Sequence, residues 1–252
     1  MENVLKKLKE IEIGEVGIKI YSTKDDIHKL AFNNDLIVPL ASAAKVAIGF
    51  CVTKWVEEEL INWDDIVKDI FFNPNEDSRE LYPHFQLRES LPLREAVEVM
   101  IACHDSYVAK SIVEFCGGWK EVNNQLKTYY PSITVTEDPR NAENQAQLDQ
   151  LCDLMLNIFQ NYKKNPLLWT PIINGLIRQK GEIEGIPTHH LNHMTGGLEN
   201  VVVDLGIIGD FNNYPYVFVL GATNLPNRNS NLDADNKIIE AVTLIYKQFK
   251  AQ

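Results

Sequence analysis

Ser42-Ala43-Ala44-Lys45 opens an apolar run that continues through Val46, Ile48, Phe50, Cys51, Trp55 and Val56. Pro39 precedes it, so the run predicts a helix beginning near Ser42, and its apolar residues spread around the whole circumference as in a central, buried helix. A spacing of three puts Ser42 and Lys45 on one face of the first turn. The partial positive charge at a helix N-terminus favours an alkoxide developing on Ser42 and disfavours a protonated Lys45. A desolvated, partly neutral lysine beside a serine is a workable nucleophile–base pair. Taken alone, the same four residues are better described as an N-cap serine and a surface lysine, since Ser-x-x-Lys arises often by chance.

At the start of the chain, Met1–Glu15 reads as an amphipathic helix with Val4, Leu5, Leu8 and Ile11 on one stripe. Two alternating segments follow, Gly17–Ser22 and His28–Asn33, with a polar turn at Thr23–Asp26. The middle of the chain is helical in pattern: a start at Leu91–Val97, a stop at Gly117-Gly118, and further helices near 118–128, 145–161 and 167–178. From Leu191 the pattern turns to strands rich in Val and Ile, at Leu191–Gly196, Asn200–Ile208 and Tyr214–Thr223. A last amphipathic helix runs from about Asp233 to Lys250. The simplest assembly is an α/β (α+β) fold, a five-stranded antiparallel sheet flanked by the terminal helices plus an all-helical lobe. The expected organisation is one domain over residues 1–252, with a sheet lobe at about 1–40 and 190–252 and a helical lobe at about 41–189. A cleft between the lobes is the natural place for a site.

The chain has 252 residues, 45% of them hydrophobic, and a formal net charge of −11, so it has apolar surface for a sizeable core but would repel phosphate backbones. Lys6, Lys7 and Lys9 are interleaved with acids and form no basic patch, so nucleic acid is not an expected partner. No apolar stretch approaches the ~18–20 residues of a membrane span, and the N-terminus lacks the ~7–15-residue apolar core of a secretory signal. The expected location is cytoplasmic, with no membrane partner. Cys51, Cys103, Cys116 and Cys152 lie in apolar helical segments without Cys-x-x-Cys spacing and read as buried thiols. His189-His190-Leu191-Asn192-His193 lacks the helical i, i+4 spacing of a zinc enzyme, and a strand would split its histidines between two faces. No metal or other cofactor is expected.

Two further stretches give the Ser42 run its context. Leu93–Ile101 leads into His104-Asp105-Ser106, and Ile186-Pro187 leads to Met194-Thr195-Gly196-Gly197 on the first strand after the helical lobe. With Ser42-Ala43-Ala44-Lys45 these resemble, in order and spacing, the Ser-x-x-Lys, Ser-Asp-Asn and Lys-Thr-Gly motifs of class A β-lactamases and related penicillin-binding serine hydrolases. The resemblance covers roughly residues 14–250 and identifies the chain as a divergent member. It implies Ser42 as nucleophile, Lys45 as its base, and the backbone N–H groups of Ser42 and Gly197 as the oxyanion hole. His193, Met194, Thr195, Gly196 and Ser106 would line the substrate cleft, and Asp105 would hold the second motif's turn.

The departures are specific. His104 stands where the family's second-motif serine passes a proton to the leaving nitrogen, and a histidine with pKa near ~6.5 can do that work. Ser106 replaces an asparagine that binds the substrate amide. Met194 replaces the lysine near the acidic group of a β-lactam, and His193, on the same strand face as Thr195, is the candidate to substitute in part. Arg178 and Arg228 are other candidate anchors. The stretch Thr134–Asn144 corresponds to the family's Ω-loop but is shorter; Glu137 and Glu143 are its carboxylates, and Glu137 is the candidate deacylation base. The expected activity is hydrolysis of a small amide or ester (a β-lactam among the options) through an acyl-enzyme on Ser42. The alternatives are an esterase, peptidase or glutaminase on the same scaffold, or a binding protein that keeps the cleft and has lost turnover.

Overall fold

A computed structural model describes residues 1–252. Five strands form one antiparallel sheet: β1 (Glu15–Ser22), β2 (Ile27–Phe32), β7 (Leu191–Leu198), β8 (Val201–Ile208) and β9 (Tyr216–Thr223), in the order β2-β1-β9-β8-β7. The remaining short strands pair in twos: β3 (Ile37–Pro39) with β6 (Gln145–Gln147), and β4 (Ile66–Lys68) with β5 (Ser90–Pro92). The helices are α1 (Glu2–Leu8), α2 (Ala44–Glu57), α3 (Ser78–Leu81), α4 (Leu93–Ala102), α5 (Ser106–Phe115), α6 (Trp119–Tyr129), α7 (Leu148–Lys164), α8 (Pro166–Arg178) and α9 (Asp233–Lys250). No helix is long and apolar enough to cross a membrane.

The sheet separates two apolar clusters. One gathers Val4 and Leu8 of α1, Ile238, Val242 and Ile245 of α9, and the strand residues that face them. The other joins Val203, Leu205 and Val219, from the opposite face of the same strands, to the helices between β3 and β7. With both faces covered, every residue of β8 and β9 is buried, which is why these strands read as near-continuous apolar runs. α2 carries ten consecutive buried residues, Ala44 to Thr53, so it runs through the centre of the helical layer as its apolar circumference predicts.

One expectation needs correction. The α-helix does not begin at Ser42: Ala41–Ala43 form a 3-10 turn and α2 starts at Ala44. The cause lies one residue earlier, where Ala41 has φ of 46°, a left-handed conformation that an L residue adopts only when its surroundings hold it there. The buried side chain of Asn144 supplies part of that hold. Its Nδ2 donates to the carbonyls of Ala41 (3.5 Å) and Pro139 (3.1 Å), while its backbone carbonyl accepts from Leu40 N–H at 2.8 Å. The short β3–β6 pair, Pro39 opposite Gln145, continues the same clamp.

α7 sits close on the sheet because its first residue, Leu148, packs over glycines in β1 and β9. A Cβ on Gly17 would lie 2.4 Å from Asn33 O and 2.6 Å from Leu148 Cδ1. Gly17→Ala should therefore cost about 1–3 kcal/mol by overpacking, measured as a lowered urea midpoint at unchanged slope.

Candidate active site

Ser42 is half-buried at the middle of the 3-10 turn, and Lys45 follows in the first turn of α2 with 4% of its surface exposed. Burial pulls the Lys45 ammonium down to about 8, because the charges of Glu76 and Asp105 nearby only partly offset the loss of water. A substantial fraction of Lys45 is thus uncharged near neutral pH, the form able to accept a proton from Ser42.

β7 forms the opposite wall. It is an edge strand, so the N–H groups on its outer side have no ladder partner. Its backbone comes so near the Ser42 turn that a Cβ on Gly196 would stand 2.2 Å from Leu40 O and 3.1 Å from Ala43 N. Only glycine permits that approach. The exposed Gly197 follows on the same strand, under the Arg228 guanidinium. Thr195 is half-buried opposite Asp204.

The second-motif turn is held by Asp105, which caps α5: its Oδ1 accepts from the N–H groups of Tyr107 (3.0 Å) and Val108 (3.1 Å). Its Oδ2 accepts from Asn73 N–H at 3.0 Å, and Asn73 Nδ2 reaches Ser106 Oγ at 3.2 Å. The loop 73–77 is thereby pinned onto the site, with half-buried Glu76 close enough to Lys45 to feel its charge. Burial pushes the Glu76 carboxyl up. His104, just before Asp105, adopts a left-handed φ of 55° and places Nε2 2.9 Å from Gln179 Oε1. Burial and the charge of Lys45 hold its imidazole below the ordinary value. Lys45, Ser106 and Glu137 border a common cavity of about 20 Å³, room for a single water. The Glu137 carboxylate itself lies on the outer side, 2.6 Å from Lys110 Nζ and half exposed.

Two expectations fail on geometry. His193 is no substitute for the missing third-motif lysine: its Nδ1 lies 2.8 Å and 3.0 Å from the two oxygens of Asp204, and its Nε2 lies 3.1 Å from Gly181 O. Both ring nitrogens are taken and the residue is 4% exposed. Met194 lines no cleft either, being fully buried in the core cluster with Leu205, its partner across the ladder. The two candidate arginine anchors are also engaged. Arg178 pairs with Glu98 at 3.0 Å. Arg228 packs over Gly197, where its guanidinium binds Asp235 and the carbonyls of Leu198 (2.8 Å) and Val201 (2.9 Å). His190 turns to α9, with Nδ1 2.9 Å from the Tyr246 hydroxyl.

Asn73, Glu76, Asn144 and Gln179 escape a motif reading, because each reaches the site from a loop or helix end with no pattern of its own. The loop Asn73–Arg79 and the stretch Thr134–Asn144 carry the available signal, as long polar segments between apolar runs.

A family model described as the β-lactamase enzyme family matches residues 2–249. No curated protein sequence matches the chain. Among solved structures, a point mutant of PBP-A in its acyl-enzyme complex with penicillin G superposes with a TM-score of 0.82 at 19% identity, covering 100% of this chain and 96% of that one. A β-lactamase from Chitinophaga pinensis gives 0.79 at 16% identity over 98% of each chain. TLA-1 extended-spectrum β-lactamase gives 0.78 at 19%, over 100% and 98%.

Lys45 sets a stability test. Its folded pKa of about 8 lies below the ordinary 10.5, so the buried charge penalises folding fully below about pH 8. The penalty is relieved as pH rises from the folded to the unfolded value. Lys45→Met should stabilise the fold at neutral pH by on the order of 3 kcal/mol, read as a higher Tm, and the gain should vanish in scans above the unfolded pKa.

Proposed function

Because the chain belongs to the β-lactamase enzyme family, whose fold and chemistry are those of serine hydrolases, we propose that it hydrolyses a small amide or ester through an acyl-enzyme on Ser42. Lys45 supports this most directly: it is buried without an ion pair, burial pulls its ammonium down to about 8, and it stands one helical turn from a serine on a strained turn. Neutral Lys45 takes the proton from Ser42 Oγ as it attacks the carbonyl carbon. The oxyanion that forms is received by the N–H groups of Ser42 and Gly197. His104 protonates the leaving nitrogen or oxygen, and Thr195 and Ser106 line the path of the substrate.

Substrate choice follows from charge. A carboxylate beside the scissile bond needs a free cation, and the cations of this region are committed: His193 to Asp204, Arg228 to Asp235, Arg178 to Glu98. Glu76 adds an acid near Lys45. An uncharged or cationic acyl substrate therefore suits the cleft better than a penicillin. Deacylation is the weak step for any β-lactam that does react. Glu137 borders the cavity shared with Lys45 but is tied to Lys110 and open to solvent, which makes it a poor base for activating water.

A fluorophosphonate probe should label Ser42, shown by intact mass and lost in Ser42→Ala. The labelling rate should rise with pH through an inflection near about 8, as Lys45 loses its proton. A fluorescent penicillin should label more slowly, and any adduct should persist. Absence of label from both reagents in a folded sample defeats the hydrolase reading in favour of a binding protein.

A single-turnover comparison of Glu137→Gln with the parent chain should show little change in the lifetime of a penicillin adduct. A lifetime longer by the roughly 10²–10⁴ that a general base supplies would assign deacylation to Glu137.

A further inference from the structure

The motif positions leave unexplained a chain of contacts behind His104. Gln179, one residue beyond α8 and 7% exposed, places its side-chain amide between two histidines. Its Nε2 donates to the backbone carbonyl of His193, and its Oε1 lies 2.9 Å from His104 Nε2. His193 cannot move away, because Asp204 and the Gly181 carbonyl hold both its ring nitrogens.

These contacts fix the hydrogens. A backbone carbonyl only accepts, so the nitrogen of the Gln179 amide must face His193 and the oxygen must face His104. An amide oxygen also only accepts. His104 Nε2 therefore carries a hydrogen, and in the neutral ring the lone pair is on Nδ1.

We propose that Gln179 is a positioning residue that commits His104 to the Nε2–H tautomer, so that Nδ1 is the nitrogen that delivers the proton to the leaving group. The proposal rests on the hydrolase reading above. In the acylation step Ser42 Oγ bonds to the carbonyl carbon and its proton goes to Lys45 Nζ. The Lys45 ammonium then passes a proton to His104 Nδ1. As the bond from carbonyl carbon to the leaving atom breaks, its electron pair stays with that atom, which takes the proton from Nδ1. His104 returns to the neutral ring and Lys45 to the neutral amine. Throughout, Nε2–H stays on Gln179 Oε1, whose partial negative charge favours the transient imidazolium. The logic is that of a triad histidine with its two nitrogens exchanged, one held by a buried acceptor while the other reacts. A neutral amide in the acceptor's place keeps the resting ring uncharged and makes Nδ1–H, once formed, a stronger acid than a carboxylate partner would. The charged groups facing the ring are Lys45 from α2, Asp77 from the loop before α3, and His193 from β7.

The test begins with the unmodified protein. Nitrogen-15 NMR of the His104 side chain should show Nε2 protonated across the titration and Nδ1 as the nitrogen that titrates. An Nδ1–H tautomer in the neutral ring would overturn the proposal without reference to any activity. Gln179→Met should lower the His104 pKa. It should also slow single-turnover acylation by nitrocefin roughly 10- to 100-fold, within the range general acid–base catalysis supplies. The loss should be larger than for a fluorophosphonate, whose fluoride leaves without a proton. In a His104→Ser background the same substitution should cost nothing further. Equal losses for both reagents, or an undiminished loss in the His104→Ser background, would make Gln179 merely structural. Failure of Ser42 to label at all would defeat the hydrolase reading and the proton delivery together, while the NMR would still decide the tautomer.

Discussion

Lys45 is held inside the protein with 4% of its surface exposed and no carboxylate in contact to neutralise it, and the surrounding architecture is what makes that tolerable. A lysine buried this way sheds its proton readily instead of its position, because it belongs to a helix buried from Ala44 to Thr53. Three separate pieces of chain close around it: the Ser42 turn, the second-motif turn where α5 starts, and the stretch around Thr136 and Glu137. Each is fixed by a buried polar anchor. Asn144 ties the last of them to the Ser42 turn, and Asp105 ties the second turn to the loop 73–77. The energetic cost of one desolvated ammonium is thus spread over several hydrogen-bonded loops, as is common where a fold supports reactive groups.

The same region shows how one buried contact can reverse the meaning of a residue. A histidine on the third-motif strand reads as a stand-in for a missing lysine, because strand alternation gives its face and nothing more. The register between β7 and β8 places Asp204 across from Thr195, near enough for its carboxylate to claim His193 Nδ1. The partnership of His193 and Asp204 raises the His193 pKa in spite of burial, whereas burial and the charge of Lys45 lower that of His104. Two imidazoles within one site are pushed in opposite directions, His193 upward by its carboxylate partner and His104 downward by burial and the charge of Lys45. That division gives the site one structural and one titratable histidine.

Much of the fold was legible in the sequence, and the reason is burial. The apolar stripes of α1 and α9, the continuous runs of β8 and β9 and the all-round apolar α2 record which surfaces each element hides, and their order alone suggests the five-stranded sheet. The proximity of Ser42 and Lys45 is legible because both are local to one turn. The 3-10 start was not, since the left-handed Ala41 depends on Asn144, a residue about a hundred positions away in the chain. Gln179 and Glu76 were invisible for the same reason: each acts through a contact that exists only after α8 and the loop before α3 have packed. Met194 misled in the opposite way. Its place in the motif suggested the cleft, but a thioether next to Leu205 and the helical layer gains more from the core than from solvent.

Replacing a second-motif serine by histidine changes more than one pKa. A hydroxyl can rotate and both donate and accept, so it relays a proton with little orientation by its neighbours. An imidazole is rigid and its two nitrogens are distinct, so it relays a proton in the right direction only if something sets which nitrogen is which. That demand falls on whatever borders the ring, and here α8 ends where Gln179 can meet it, between the second-motif turn and the third-motif strand. The contact also joins the two walls of the cleft through a single amide. Gly196 lets the same strand come against the Ser42 turn, so the third-motif strand is fixed to both other motifs, by a bare glycine at one and by the Gln179 amide at the other.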